Sequence, residues 1–354
     1  MSRARTLSKL FNTDGNLNLS PVETINGNSP SGRKNLVING AMNVDQRNTD
    51  VNTNEAYSVD RYKLQFSGGA ATLNQQDLTS SDSPYDDGFR HFLRLTRDTA
   101  SSGSGDYVQF YQTLEAQDVA QSGWDYTSSS AYVTISFWAR ISLAGTYSFT
   151  PQTADGTSQE YVFQETFVAN TWKKVTHTLP GNTNLQFDNN TGAGLRLYFR
   201  GGLGTDYTDS GRTVDTWQAY AAGTISPDNI ADFLNTASAT FDVTGLQLEV
   251  GETATSFEHR SFGEELLLCQ RYFDTSSASI WYNQPEQLGS GFGRAFIPFS
   301  VQMRATPTMT VSTNNTNYSA IGTQFGNNKY VSSFLNGMTS NNYVTSWSAN
   351  AEIG

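Results

Sequence analysis

Apolar and polar residues alternate in steps of two along most of this chain, in short runs cut by Gly, Asn, Asp and Ser. In YVTISFWARI, Val133, Ile135, Phe137 and Ala139 fall on one side, with Tyr132, Thr134, Ser136, Trp138 and Arg140 on the other. In Glu160–Val168, Tyr161, Phe163, Glu165 and Phe167 alternate with Val162, Gln164 and Thr166. A period of two commits each run to a half-buried strand and excludes an amphipathic helix. Roughly ten such runs, from ATLNQQDL to ATFDVTGLQLEV, are separated by turn signals at sandwich-like spacing. Charged residues make up only 16% and aromatics reach 12%, so the polar content is that of turns in a packed β protein, not of disorder. The expectation is an all-β chain: an antiparallel jelly-roll sandwich, a smaller C-terminal β domain and an extended N-terminal anchoring segment.

The seam between the two domains lies in FDVTGLQLEVGETATSFEHRSFGEELLLCQRYF, Phe241–Phe273. Phe241, Val243, Leu246, Leu248 and Val250 run as a strand whose phase shifts once at Gly245, the place for a bulge. A turn follows at Gly251, and Glu264–Phe273 reads as one or two helical turns. Glu264 and Glu265 sit at its start, where the helix dipole favours acids. The domains are therefore placed at 1–34, 35–261 and 262–354. The jelly roll is expected to open with NLVINGAMNVDQRN as strand, Asn39-Gly40 turn and strand, and to continue through YSVDRYKLQFSGG as another strand.

Charge is unevenly spread over a net −11. Residues 1–34 hold five basic against two acidic residues, and residues 35–261 hold 13 against 26. The leader, with Arg3 and Arg5 beside Leu7, Leu10 and Phe11, reads as a peptide that orders when inserted into a partner. No basic stripe suggests nucleic acid, no apolar run is long enough to insert in a membrane, and MSRARTLSKLF lacks the apolar stretch of a secretory signal. Cys269, the single cysteine, lies in LLLCQRYF and reads as a buried structural thiol.

Catalytic patterns are missing. His91, His177 and His259 are far apart, no nucleophile, Walker or dinucleotide motif is present, and Glu160 and Glu165 point to opposite faces, unlike a glycosidase pair. The expectation is a protein that is not an enzyme. Asp82, Asp86 and Asp87 in SSDSPYDDG, and Asp206 and Asp209 in GTDYTDSG, have the chemistry of a structural calcium loop. Neither follows EF-hand spacing, so no metal or cofactor is assigned. Sugar binding needs aromatic platforms flanked by amides and hydroxyls. The last fifty residues, with 24 Ser, Thr or Asn and only Lys329 and Glu352 charged, supply them. The candidate glycan or receptor residues are Trp281, Tyr282, Tyr318, Tyr343, Trp347, Asn341 and Asn342, the alternative being that these rings fill a small core or a trimer axis.

Four stretches together resemble bacteriophage tail-fibre and tailspike proteins: MSRARTLSKLF, NLVINGAMNVDQRN with YSVDRY, TGLQLEVGETATSFEHRSFGEELLLCQRYF, and FIPFSVQMRATPTMTV. The middle domain looks like the carbohydrate-binding-module type of jelly roll found in such fibres. The resemblance implies a virion structural protein, made in the host cytoplasm and typically homotrimeric. Residues 1–34 would hold another tail protein through Arg3, Arg5, Leu7, Leu10 and Phe11, and distal β domains would meet a host-surface glycan or protein. The alternative is a purely structural virion component, such as a tail hub, nozzle or capsid appendage.

Overall fold

The computed structural model describes residues 34–278, 280–281, 292–314, 320–336 and 343–353. The first half of the jelly roll comprises β1 (Tyr62–Ser67), β2 (Ala70–Asp77), β3 (His91–Thr99), β4 (Tyr107–Glu115), β5 (Tyr132–Ile141) and β6 (Gly145–Thr153). It continues through β7 (Gln159–Tyr161), β8 (Phe163–Phe167), β9 (Lys173–Pro180), β10 (Ala193–Leu203), β11 (Trp217–Ala219) and β12 (Ala239–Val250). One sheet has the order β1-β4-β10-β6-β7-β11, with β8 also on β6; the other is β2-β3-β12-β5-β9. All these strand pairs are antiparallel. The chain crosses repeatedly from one sheet to the other, which is the winding of a jelly roll.

The inward residues of both sheets meet in a single aromatic core. Phe137 of the five-stranded sheet lies 4.9 Å from Phe149 and 5.2 Å from Phe199 of the other. Phe241 packs edge-on to Phe110 at 5.6 Å. Val133, Ile135, Phe137 and Ala139 are all buried, as the period of two requires. Phase breaks occur where the backbone breaks: β7 and β8 part at Val162, and β12 changes register against β5 between Thr244 and Gln247. Gly245 makes that bulge with φ +66°, and a Cβ there would stand 2.6 Å from the Phe89 ring. Gly245→Ala is therefore expected to cost about 2–4 kcal/mol, from left-handed backbone strain plus overpacking. A fall in urea midpoint equivalent to less than ~1 kcal/mol would contradict this account.

The opening of the domain departs from expectation. Asn39-Gly40 does turn, but residues 34–50 form no strand, and in YSVDRYKLQFSGG only Tyr62–Ser67 is one. Asn39, Met42 and Arg61 take positive φ (58°, 58° and 76°), which a strand does not allow. Leu36, Val37 and Ile38 are buried nonetheless, because side chains replace the missing ladder. Gln112 accepts from the Ile38 N–H at 3.1 Å and donates to its carbonyl at 2.8 Å, while Glu265 accepts from the Asn39 N–H at 2.6 Å.

Three short helices complete this part: α1 (Ser83–Asp86), α2 (Ala116–Ala120) and α3 (Phe262–Gln270). Ser261 and Glu264 cap α3 reciprocally, which fixes its start. Cys269 is fully buried, and burial pushes its thiol well above the usual range, as befits a packing residue. With Tyr272 it packs in one buried cluster with Ile38, Val44 and Ile353, so residues from both sides of the seam share a core.

Among the described residues, the C-terminal part has two small sheets. They are built from β13 (Phe273–Ser276), β14 (Ile280–Trp281), β15 (Phe292–Pro298), β16 (Thr308–Thr313) and three later strands. β17 (Ala320–Gly326), β18 (Tyr330–Asn336) and β19 (Tyr343–Asn350) occupy the Ser/Thr/Asn-rich end, where the sequence reads as turns. β19 is the centre of one sheet, between β13, β14 and β16, and β18 lies between β15 and β17 in the other. The last residues return to the jelly roll: Tyr57 Oη donates to the Ile353 carbonyl at 2.5 Å, and the Glu352 carboxylate pairs with Arg61 and with Arg47 at 3.2 Å. Beside them Arg271 grips Glu115 with two bonds of 2.7 and 2.8 Å.

Candidate glycan-binding cleft

A sandwich offers two outer sheet faces, and here one is covered. The 78–90 segment lies over the five-stranded sheet, packing Leu78, Phe89 and Tyr85 with Phe92, Trp138 and Trp172. Its acids are the fasteners. Asp82 accepts from Trp172 Nε1 and Arg140 Nη1, both at 2.8 Å, and Asp87 from Trp138 Nε1 at 3.0 Å and Lys174 at 3.2 Å. Burial alone would raise both carboxyls, but the hydrogen bonds outweigh it and hold them below the ordinary range. The carboxylates considered for calcium at Asp82 and Asp87 are thus engaged as hydrogen-bond acceptors, and no group of three metal-ligating side chains occurs among the described residues.

The outer face of the seven-stranded sheet is covered in part by the 205–226 segment, where Ser226 bonds Ser148 at 2.7 Å, and beside it holds a cleft of about 250 Å³. Its floor follows from strand alternation: Val108 and Phe110 point inward, so Tyr107 and Gln109 point out, and Leu197 and Phe199 inward leave Tyr198 and Arg200 outward. Register aligns Gln65 with Gln109 and Gln109 with Arg200. Gln109 Nε2 donates to Gln65 Oε1 at 2.7 Å. Arg200 donates to Thr150 Oγ1 at 3.1 Å and to Gln109 Oε1, and its guanidinium carbon lies 4.6 Å from the Tyr198 ring centre. Tyr198 in turn packs 4.7 Å from Tyr111. The wall is built from two segments laced together, Ile225 N–H donating to the Tyr207 carbonyl at 3.0 Å, and it carries Tyr207, Tyr220 and Ile225. Tyr207 meets Tyr107 edge-on at 5.5 Å, and Tyr220 stands 46% exposed.

Four tyrosines and three glutamine amides thus converge on one concavity. The rings offer apolar faces and hydroxyl tips, and the amides donate and accept at fixed positions. Burial raises Tyr107 and Tyr198 above the usual phenol range and pushes Tyr111 up to about 12, so these hydroxyls stay protonated and able to donate. A larger groove of about 540 Å³ at the end of the sandwich, between Ser101–Ser104 and the 228–235 segment, has no aromatic lining. The aromatic cleft is therefore the better-equipped concavity.

The residues singled out from the sequence lie elsewhere. Tyr282, Tyr318, Asn341 and Asn342, like Arg3, Arg5, Leu7, Leu10 and Phe11 of the leader, lie outside the described residues, as does the side chain of Trp281. Tyr343 is half-buried at the start of β19, its N–H bonded to Asn314 Oδ1 at 2.8 Å. Trp347 is 7% exposed and packs near Phe299, in a core that includes Ile297, Val331 and Val344. Its ring has no free face for a sugar, a correction that follows from its inward position on a central strand. The histidines are not assembled: His91 pairs with Asp77, His177 lies flat on Phe163 at 4.2 Å, and His259 bonds the Asp87 carbonyl. Glu165 binds Lys173 at 2.6 Å, whereas Glu160 lies beneath Arg200, on the opposite side as expected.

No family model and no curated protein matches this chain. Among solved structures it is similar to a carbohydrate-binding module of the CBM4 type, with 12% identity over 60% of this chain and 97% of that one, TM-score 0.30. It is also similar to the CBM22-1 xylan-binding domain from Paenibacillus barcinonensis Xyn10C (11% identity, 63% and 100% covered, TM-score 0.30). A third is a putative sugar binding protein from Bacteroides thetaiotaomicron (10% identity, 61% and 99% covered, TM-score 0.28). Scores this low transfer no residue role, and the site rests on its own geometry.

Proposed function

We propose that this chain is a glycan-binding protein, not an enzyme, whose ligand lies in the tyrosine- and glutamine-lined cleft on the outer face of the seven-stranded sheet. The observation that carries this reading is the convergence of four tyrosines and three amides on one concavity of the outer face of the seven-stranded sheet. The resemblance of four sequence stretches to tail-fibre proteins supports a more specific setting. There the chain is a homotrimeric tail-fibre component of a bacteriophage virion, attached through residues 1–34 to a neighbouring tail protein and adsorbing the virion to a host-surface glycan. Exposed Phe262 (60%) and Leu267 (50%) on α3 favour contact with further subunits, which the purely structural reading also requires.

The test is a screen of the purified chain against an array of bacterial-surface glycans, followed by competition with phage adsorption. Specific binding that is lost on replacing Tyr107 and Tyr220 together by alanine is the expected result. Absence of any bound glycan, with adsorption undisturbed by an excess of the chain, would dismiss the cleft as a binding site.

A further inference from the structure

Charge on the outer face of the seven-stranded sheet runs against charge in the chain as a whole. The net formal charge is −11, yet Lys63, Arg196, Arg200 and Arg212 stand on or under this face against Glu55 and Glu160. Lys63 and Glu55 form a pair at 2.5 Å. Arg196 lies on the outward side of β10, in register with Thr113 and Gln152. At the cleft itself the balance is set by Glu160, which is completely buried and shared between two guanidiniums, Arg200 at 3.5 Å and Arg212 at 3.6 Å.

One carboxylate between two arginines leaves a positive charge over. Both guanidiniums are enclosed, their side chains 3% and 1% exposed. Arg212 Nε and Nη2 and Glu160 Oε2 are buried without a hydrogen-bond partner. A charge held away from water is poorly screened and acts over several ångströms. Among the described residues lining the cleft, Arg200 is the single charged one, so nothing in the lining cancels that excess.

We infer that the cleft selects sugars bearing a carboxylate, a hexuronic or nonulosonic acid unit, over their neutral counterparts. This rests on the glycan-binding reading above. Arg200 is a positioning and field-setting residue here: pinned by Thr150, Gln109 and Glu160, it supplies charge beneath the ligand while the tyrosines and amides make contact.

The experiment uses the full chain and matched probes: oligogalacturonate against its methyl ester, and sialyllactose against lactose, together with an array holding both acidic and neutral glycans. The acidic member of the bound pair is expected to bind at least ~10-fold more tightly at about 0.02 M salt, with the advantage shrinking at about 0.3 M. Arg200→Gln should bring the acidic and neutral members of the pair to equal affinity, whatever it does to binding overall. Arg196→Gln, at a more exposed position than Arg200, should reduce the preference part-way with folding intact. Equal or tighter binding of neutral sugars overturns the inference and leaves the glycan reading standing. Failure of every sugar, acidic or neutral, overturns the glycan reading itself.

Discussion

Replacing Glu352 by alanine is expected to destabilise the protein by about 3–5 kcal/mol, the cost of stranding a buried cation. Its carboxylate, 3% exposed, is shared by Arg61 and Arg47. Arg61 is itself buried, with its guanidinium carbon 3.4 Å from the Tyr272 ring centre and a further bond to the Thr113 carbonyl. Neither the ring nor the carbonyl neutralises it once the carboxylate is gone. Because these groups hold the chain end against the jelly roll, proteolysis near β13 should accelerate in parallel with the loss of stability. Glu352→Ala combined with Arg61→Met should recover much of the loss, since removing both charges relieves the desolvation. A single variant within ~1 kcal/mol of the parent by urea unfolding would show that the network is not what holds the seam.

Combining Tyr198→Ala with Tyr220→Ala should weaken glycan binding on the order of 100-fold, taking roughly 1–1.5 kcal/mol for each ring. The two rings make different contributions. Tyr220 is 46% exposed on the wall, so its single replacement should cost about tenfold in affinity and shift thermal unfolding by no more than about 2 °C. Tyr198 supports itself on Tyr111 and Arg200, so its loss also unseats the floor. Calorimetric titration with a glycan found by the array, alongside thermal melts, separates the two effects. Unchanged affinity in the doubly substituted, folded protein would place the ligand elsewhere.

The strands were legible because alternation is local. Val133 to Ala139 declare their face within a single run, and the phase slip at Gly245 marks the bulge before any partner is known. Asn35 to Arg61 misled because its apolar residues alternate like a strand, whereas it is held by scattered groups distant in sequence, the side chains of Gln112 and Glu265 and the backbone of Leu246 and Leu248. The cleft was half visible. Tyr107, Gln109 and Tyr111 put aromatic residues on the polar side of a strand, a signal that Tyr198 repeats between Arg196 and Arg200. What brings them together is the pairing of β4 with β10, and what walls the cleft is the distant 205–225 stretch. Neither is written in a local pattern. Trp347 misled for the same reason: an amide-rich neighbourhood suggests a surface, but pairing on both sides of β19 puts the ring inside.

The seam also dictates where such a polypeptide can be divided. A fragment ending at residue 261 would strip Glu265, Cys269 and Tyr272 from the residues they cover near Ile38 and Asn39. Exchanging tips between related molecules therefore succeeds only when the crossover falls after β13 and the incoming piece brings its own equivalents of Glu352 and Ile353.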